Sequence, residues 1–290
     1  MVILFFLDWG LGLNELISKE FKCLDKGFVR LVDMMGDDSS IVQAARVSYG
    51  KGTKTVSEDR NLIRYLMRHR HTSPFEMVEY KFHIKLPIFV ARQWIRHRTA
   101  NVNEYSGRYS VMPDEFYLPS PEDVRKQSRT NKQGRSDEPI NIDTANEFIE
   151  DLQKTQNLLY EKYNWYLSNE IARELARINL PLSTYTEWYW KIDLHNLFHF
   201  LELRLHSTAQ FEIREYAKII AQIVKETCPI AYEAFEDYRL NAITFSSLEQ
   251  KILKNMIQYK LPTYEEMLEM GLTKREIEEF FEKISLINNH

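Results

Sequence analysis

Arg92, Arg96, His97, Arg98 and Arg108 crowd into one stretch, Arg-Gln-Trp-Ile-Arg-His-Arg-Thr-Ala-Asn-Val-Asn-Glu-Tyr-Ser-Gly-Arg, which contains a single acid, Glu104. Guanidinium forks match phosphates and planar acceptors. Like charges packed this closely repel one another unless an anion sits among them. The whole chain carries a net charge of −4, so the basic density is local. On these residues alone two readings stand side by side: a pocket for phosphorylated ligands, and a solvated basic face.

Other residues suggest other chemistry. His195, His199, Glu202 and His206 fall at helical spacing, which suits a metal, but Asn196 follows His195 and the pattern His-Glu-x-x-His is absent. Tyr105 and Tyr109 beside the arginines suit stacking of single-stranded nucleic acid. The negative net charge argues against a general nucleic-acid coat protein. Ser106 has no histidine placed next to it by sequence, so binding suits it better than nucleophilic attack. Cys23 and Cys228 are too few for a disulfide framework or a four-cysteine zinc site, and they suit a reducing compartment. Cys228 precedes Pro229 at the end of an apolar helix and reads as a small hydrophobe. In Gly10-Leu11-Gly12 the third glycine of a dinucleotide fingerprint is replaced by Glu15, and no strand-turn-helix unit surrounds it. The apolar run Val2 to Leu7 is cut at Asp8, so neither a signal peptide nor a membrane span is expected, and the cytoplasm is the default.

The chain has 290 residues, 44% hydrophobic and 28% charged, which bounds a soluble globular protein with ample core. Gly27 to Met35 is β-branched and apolar enough for a strand, and Gly36-Asp37-Asp38 is its exit. Ser39 or Ser40 is expected to cap a helix through Ser48, and Ser57 to Arg70 reads as a second helix. Glu79 to Leu86 alternates as a half-buried strand. Pro87 opens a helix to about Thr99 that carries the basic residues, with Gln93 and His97 on one face and Arg92 and Arg96 on another. Asn101, Asn103, Ser106 and Gly107 then form a polar turn. Residues 119–142 read as a mobile insert. Asp143 is expected to cap a long helix with Phe148, Leu152, Leu159 and Tyr166 as its stripe. Helices follow from Asn169 to Arg177, from Leu194 to Leu205 and from Phe211 to Thr227. In the tail, Thr263 with Glu266 and Thr273 with Glu276 fit the capping box. Two early strand signals followed by long helical patterns give an α+β protein, a small antiparallel or mixed sheet with a predominantly helical bundle.

Arg96-His97-Arg98, seven residues, then Ser106-Gly107-Arg108 resembles the signature of the flavin-dependent thymidylate synthases. Ala44 to Ser48, His71 to Glu76, Pro87 to Trp94, Ala176 to Ile178 and Glu202 to Arg204 look like segments of the same family, so the resemblance spans roughly Lys26 to Phe235. It implies conversion of deoxyuridine monophosphate (dUMP) to thymidylate (dTMP), with methylenetetrahydrofolate as carbon donor and NADPH as reductant through FAD. It implies dUMP contacts at Gln93, Glu104, Ser106, Gly107, Arg108, Arg177 and Arg204, with Arg204 polarising the uracil ring. FAD contacts are implied at Ser48, His71, Arg96, His97, Arg98 and His199. It also implies a homotetramer whose sites are shared between chains, and no metal, nucleic acid or membrane. No catalytic cysteine is expected, in line with the family. Two positions depart from the pattern: Met77 and Thr208 stand where family members can carry histidine. The domain reading is an extension over residues 1–25, the enzyme domain over 26–240 and a helical extension over 241–290.

Overall fold

Tyr80, Phe82, Ile84 and Leu86 are fully buried while Lys81, His83 and Lys85 between them are half-buried. This period of two makes Glu79–Pro87 the central strand of the sheet. The computed structural model describes residues 13–47, 56–129, 133–256 and 262–289. Among them the strands are β1 (Glu20–Cys23), β2 (Gly27–Met35), β3 (Glu79–Pro87), β4 (Asn101–Glu104), β5 (Arg125–Gln127), β6 (Arg135–Pro139) and β7 (Tyr185–Asp193). Five of these form one sheet in the order β1-β2-β3-β7-β4, every neighbouring pair antiparallel. The helices are α1 (Leu13–Leu16), α2 (Asp38–Val47), α3 (Val56–Arg68), α4 (Ile88–Trp94), α5 (Ile142–Ser168), α6 (Arg173–Ala176), α7 (Leu194–Arg204), α8 (Phe211–Thr227), α9 (Pro229–Phe235), α10 (Ser247–Met256), α11 (Tyr264–Glu269) and α12 (Lys274–Asn289). None of the described helices is long and apolar enough to cross a membrane.

Several local expectations are corrected. The cap of α2 is Asp37, whose Oδ1 accepts from the backbone N–H groups of Ser39 and Ser40, not either serine. α5 is capped by Asn141, which accepts from the N–H of Asp143, so the carboxylate lies one turn position too late. Its buried stripe is Ala145, Gln156 and Tyr163, while Phe148 is exposed. Among the described residues of 119–142, β5 and β6 form a short two-stranded ribbon, and Arg135 makes an ion pair with the buried Glu212. Asn101–Glu104 is a strand on β7 rather than a turn. The helix expected from Asn169 is confined to α6 with a 3-10 turn after it. The strand β7 was not foreseen. It draws the second half of the chain into a sheet expected around the first half.

The chain divides into two compact units at Leu240/Asn241. In the first, the inner face of the sheet packs on α4, α7 and α8. Trp94 lies at the centre, edge-to-face with Trp188 and Trp190 at ring distances of 5.7 and 5.1 Å and stacked on Phe200 at 4.7 Å. The indole N–H groups of all three tryptophans are buried without an acceptor. Edge-to-face packing sets positive ring edges against π faces, which offsets part of that cost. Asp38 closes the far end of the unit: its carboxylate accepts from the N–H groups of Ile230 and Ala231 at the start of α9. In the second unit α12 packs on α10 and α11, around Met267 and Ile277. Thr263 and Glu266 form the expected reciprocal capping box, and Thr273 and Glu276 make the same pair of bonds.

Replacing Trp94 by alanine removes a ring that meets four aromatic neighbours. We expect Trp94→Ala to cost about 3–5 kcal/mol of unfolding free energy, measured by denaturant titration. A cost below about 1 kcal/mol would mean that the cluster is not the keystone of the core.

Candidate functional site

The basic residues are presented by a turn, not by a helix face. α4 stops at Trp94, where Ile95 closes it with an N–H bond to the carbonyl of Ala91, and His97 N–H bonds the carbonyl of Trp94. The expected continuation to Thr99 fails because the chain must reverse at once to lay β4 on β7. Burial of Trp94 therefore turns Arg96 and Arg98 outward. Arg92, Arg96 and Arg98 are exposed and make no hydrogen bond or ion pair among the described residues.

His97 points the other way and is half-buried against Phe200, 5.0 Å between rings, and His199, 6.0 Å. The Nε of Arg204, at the C-terminal end of α7, donates to its Nε2 over 3.0 Å. Burial first, then the Arg204 charge and then His199, push the His97 pKa down to about 4. A neutral ring accepting at Nε2 carries its proton on Nδ1. Burial also lowers the pKa of Arg204, which stays charged at neutral pH. Holding Arg204 by Nε leaves both its terminal amino groups to face a ligand.

A second group forms around Ser106-Gly107-Arg108. β4 delivers Glu104, whose carboxylate accepts from the hydroxyl of Thr186 at 2.9 Å. The chain then turns tightly, with Tyr109 and Ser110 N–H bonded to the carbonyl of Ser106. Gly107 is buried, and a Cβ there would stand 2.7 Å from Met112 Sδ and 3.1 Å from Arg177 Cδ. A side chain at this position would make Met112 and Arg177 shift. Arg108 pairs with Glu174 at 3.4 Å, and Arg173 donates to the carbonyl of Tyr109 at 2.9 Å. Gln93, on α4, keeps its Oε1 buried without a donor. Among the described residues no hydrogen bond or ion pair joins this group to the Arg204–His97 group.

His71 and His199 meet in a cavity of about 220 Å³ lined also by Arg70, Thr72, His195, Asn196 and Arg239. α3 ends in the Schellman pattern, with His71 N–H on the carbonyl of Leu66 and Arg70 N–H on that of Met67. Arg70 takes the left-handed position there, with φ of 58°. A non-glycine residue in that conformation costs about 1 kcal/mol. Arg70 and Arg239 were not singled out from sequence, and His195 only as a candidate metal ligand. The positive φ of Arg70 leaves no sequence signal, whereas the spacing of His195 to His199 does. Ser48 lies outside the described residues. No group of three His, Cys, Asp or Glu side chains converges as a metal site among the described residues. After α7, the hydroxyl and N–H of Thr208 both meet His206 Nδ1, at 2.7 and 3.2 Å, and Met77 is exposed. Cys23 and Cys228 are both buried, and burial raises both thiol pKa values, which suits neither for attack. A larger cavity of about 590 Å³, under the β5–β6 ribbon, shares no lining residue with the basic turn or the smaller cavity.

Unpaired guanidinium groups and an orphaned amide oxygen fit an anionic nucleotide: the first bind phosphate and the second takes an N–H donor. The same cationic cavity fits a phosphorylated flavin.

The family model described as thymidylate synthase complementing protein matches residues 30–230. A flavin-dependent thymidylate synthase of Treponema denticola is 57% identical over 268 residues, 92% of this chain and 98% of that relative. One from Wolbachia pipientis wMel is 56% identical over 254 residues, 88% of this chain and 89% of that relative. The crystal structure of a UMP/dUMP methylase, PolB of Streptomyces cacaoi, bound with 5-Br dUMP, is similar with a TM-score of 0.69 at 32% identity, covering 76% of this chain and 99% of that one.

His97 titrates near 4 when folded and near 6.5 when unfolded, so between these values only the unfolded chain holds the proton. Its contribution to stability is full above the upper value and is lost as the pH falls toward the lower one. We expect His97→Gln to flatten that part of the stability profile, read from thermal melts between about pH 7 and 4. A slope unchanged by the substitution would assign the acid loss to other groups.

Proposed function

The chain belongs to the family of the flavin-dependent thymidylate synthases, and from that premise we propose that it converts dUMP to dTMP by reductive methylation. Methylenetetrahydrofolate gives the carbon, and NADPH gives the two electrons through FAD. FAD, when bound, supplies the redox chemistry; the protein binds, orients and polarises. The observation that carries the reading is the pairing of Arg204 through its Nε with a neutral His97, in a turn whose exposed arginines have no partner among the described residues.

Gln93, Glu104, Ser106, Gly107, Arg108, Arg177 and Arg204 bind dUMP. Arg108 and Arg177 take its phosphate, and Gln93 Oε1 takes a donor in place of the partner it lacks. Arg204 is the catalytic residue. Its guanidinium would lie beside the pyrimidine and stabilise the enolate-like negative charge that builds on the ring as its carbon is made nucleophilic, so it favours the activated ring over the resting one. His97 holds it there without adding a competing charge, since its own ring is neutral at the working pH. Ser48, His71, Arg96, His97, Arg98 and His199 hold FAD.

Both groups of residues serve one site when several copies assemble, and we assign the protein to a homotetramer. Trp165, 58% exposed, and Leu158 on α5, with Leu175, Ile178 and Leu182 around Arg177, make a large apolar surface outside the core. Such a surface marks contact with a partner chain. Residues 26–240 carry the chemistry, with 1–25 and 241–290 as extensions, and the reducing cytoplasm suits the buried thiols.

The test starts from the visible spectrum of purified protein, native and after release of the cofactor, which should show FAD. Arg204→Ala should keep FAD and lose dTMP formation by roughly 10²- to 10³-fold, the size of one lost electrostatic donor. Normal turnover in that variant, measured by dTMP release, would remove Arg204 from the chemistry. Failure of the wild-type protein to bind added FAD in the presence of dUMP would remove the activity itself.

A further inference from the structure

Arg70 breaks a local rule in a way that only its side chain explains. It occupies the C′ position of a Schellman closure with φ of 58°, where glycine is the unstrained choice. Its guanidinium makes no hydrogen bond or ion pair among the described residues, so none of these repays the strain. It lines the small cavity with His71, His195, His199 and Arg239, and no acid lines that cavity. Arg239 is already paired, with Glu202 at 2.7 Å, so Arg70 is its uncompensated charge. At about 220 Å³ the cavity is too small for a whole dinucleotide and takes one part of it.

We propose that Arg70 is a cofactor-binding residue that grips a phosphate of FAD at this cavity, which it lines together with His71, His195 and His199. The assignment rests on the flavin reading above and adds a residue to it. A guanidinium on a flexible stem that lines the cavity reaches a phosphoryl oxygen as a charge-assisted donor. The phosphates of dUMP and NADPH offer the same chemistry, so the ligands are separated in the test.

Arg70→Gly removes the side chain and relaxes the backbone, so the variant should fold with an unchanged or higher melting temperature. Fluorescence titration of the flavin-free tetramer should show FAD affinity weakened roughly five- to ten-fold, the size of one partly exposed charge-assisted contact. Riboflavin, which has no phosphate, should bind both forms equally, and Arg70→Lys should restore part of the FAD affinity. Wild-type FAD affinity in Arg70→Gly would overturn the assignment while leaving the flavin reading intact. So would equal losses for FAD and riboflavin, or a loss confined to dUMP or NADPH. A wild-type protein that binds neither flavin would overturn both.

Discussion

The Trp94 indole has to be inside, and that one demand fixes where the charges go. It is wedged between the tryptophans of β7 and the Phe200 ring of α7. The chain on either side cannot shift along the helix axis without pulling the indole out of a packed core, where interiors resist even small changes of volume. Gln93 is thereby held just before it, and the basic triplet just after it. Phe200 also sits under the His97 ring, so the same aromatic layer that buries Trp94 positions the acceptor for Arg204. Core packing and site geometry are one structure here, not a scaffold with a site placed on top.

Much of this was legible in the residues, and the failures have physical causes. Glu79–Pro87 announced itself because apolar and charged residues alternate without exception, and Phe211–Thr227 because its apolar positions repeat at helical spacing. β7 carries an equally clear signal, with Trp188, Trp190 and Ile192 inward and Glu187, Tyr189 and Lys191 outward. It was missed because nothing before it marks a hairpin, and its partners lie far away in sequence. The end of α4 was misjudged for a different reason. Residues 95–99 are acceptable in a helix, and what stops them is the tertiary demand of β4 on β7. The cap errors at Asp37 and Asn141 are shifts of two residues within clusters of equally good capping side chains. Site residues carried by the basic motif were readable, whereas Arg70 and Arg239 depend on chain closures that sequence alone does not reveal.

The balance of charges explains why the site can be so basic in a protein of net charge −4. Elsewhere the positive charges are neutralised in networks: Arg60 and Arg64 of α3 meet Glu233 and Asp237, and Arg46 meets Asp59. Such pairs add little stability at the surface but fix one element against another. Around the turn after α4 the pattern is the reverse, and among the described residues no acid is supplied to Arg92, Arg96 or Arg98. Their mutual repulsion is a standing cost that a bound anion removes, so ligand binding gains what the folded chain forgoes.

Polar burial makes the same distinction. Glu212, deep in the fold, accepts from Tyr117, Arg135 and Gln210, and Gln156 donates to Tyr117 and Ser183; neither side chain is among those with a buried polar atom left unmet. Such networks hold a unique core when complete. Gln93, next to Trp94, is left with an acceptor and no donor, and His97 is kept neutral by the burial and the charge around it. A folding optimum would have completed the first and moved the second. Orphaned groups also occur in the tryptophan cluster, at Arg46 and at His83, so an unmet partner alone does not mark a site. What separates the region around the basic turn is coincidence. An unmet acceptor at Gln93, unpaired cations and a depressed imidazole lie within a few residues of one another in the chain.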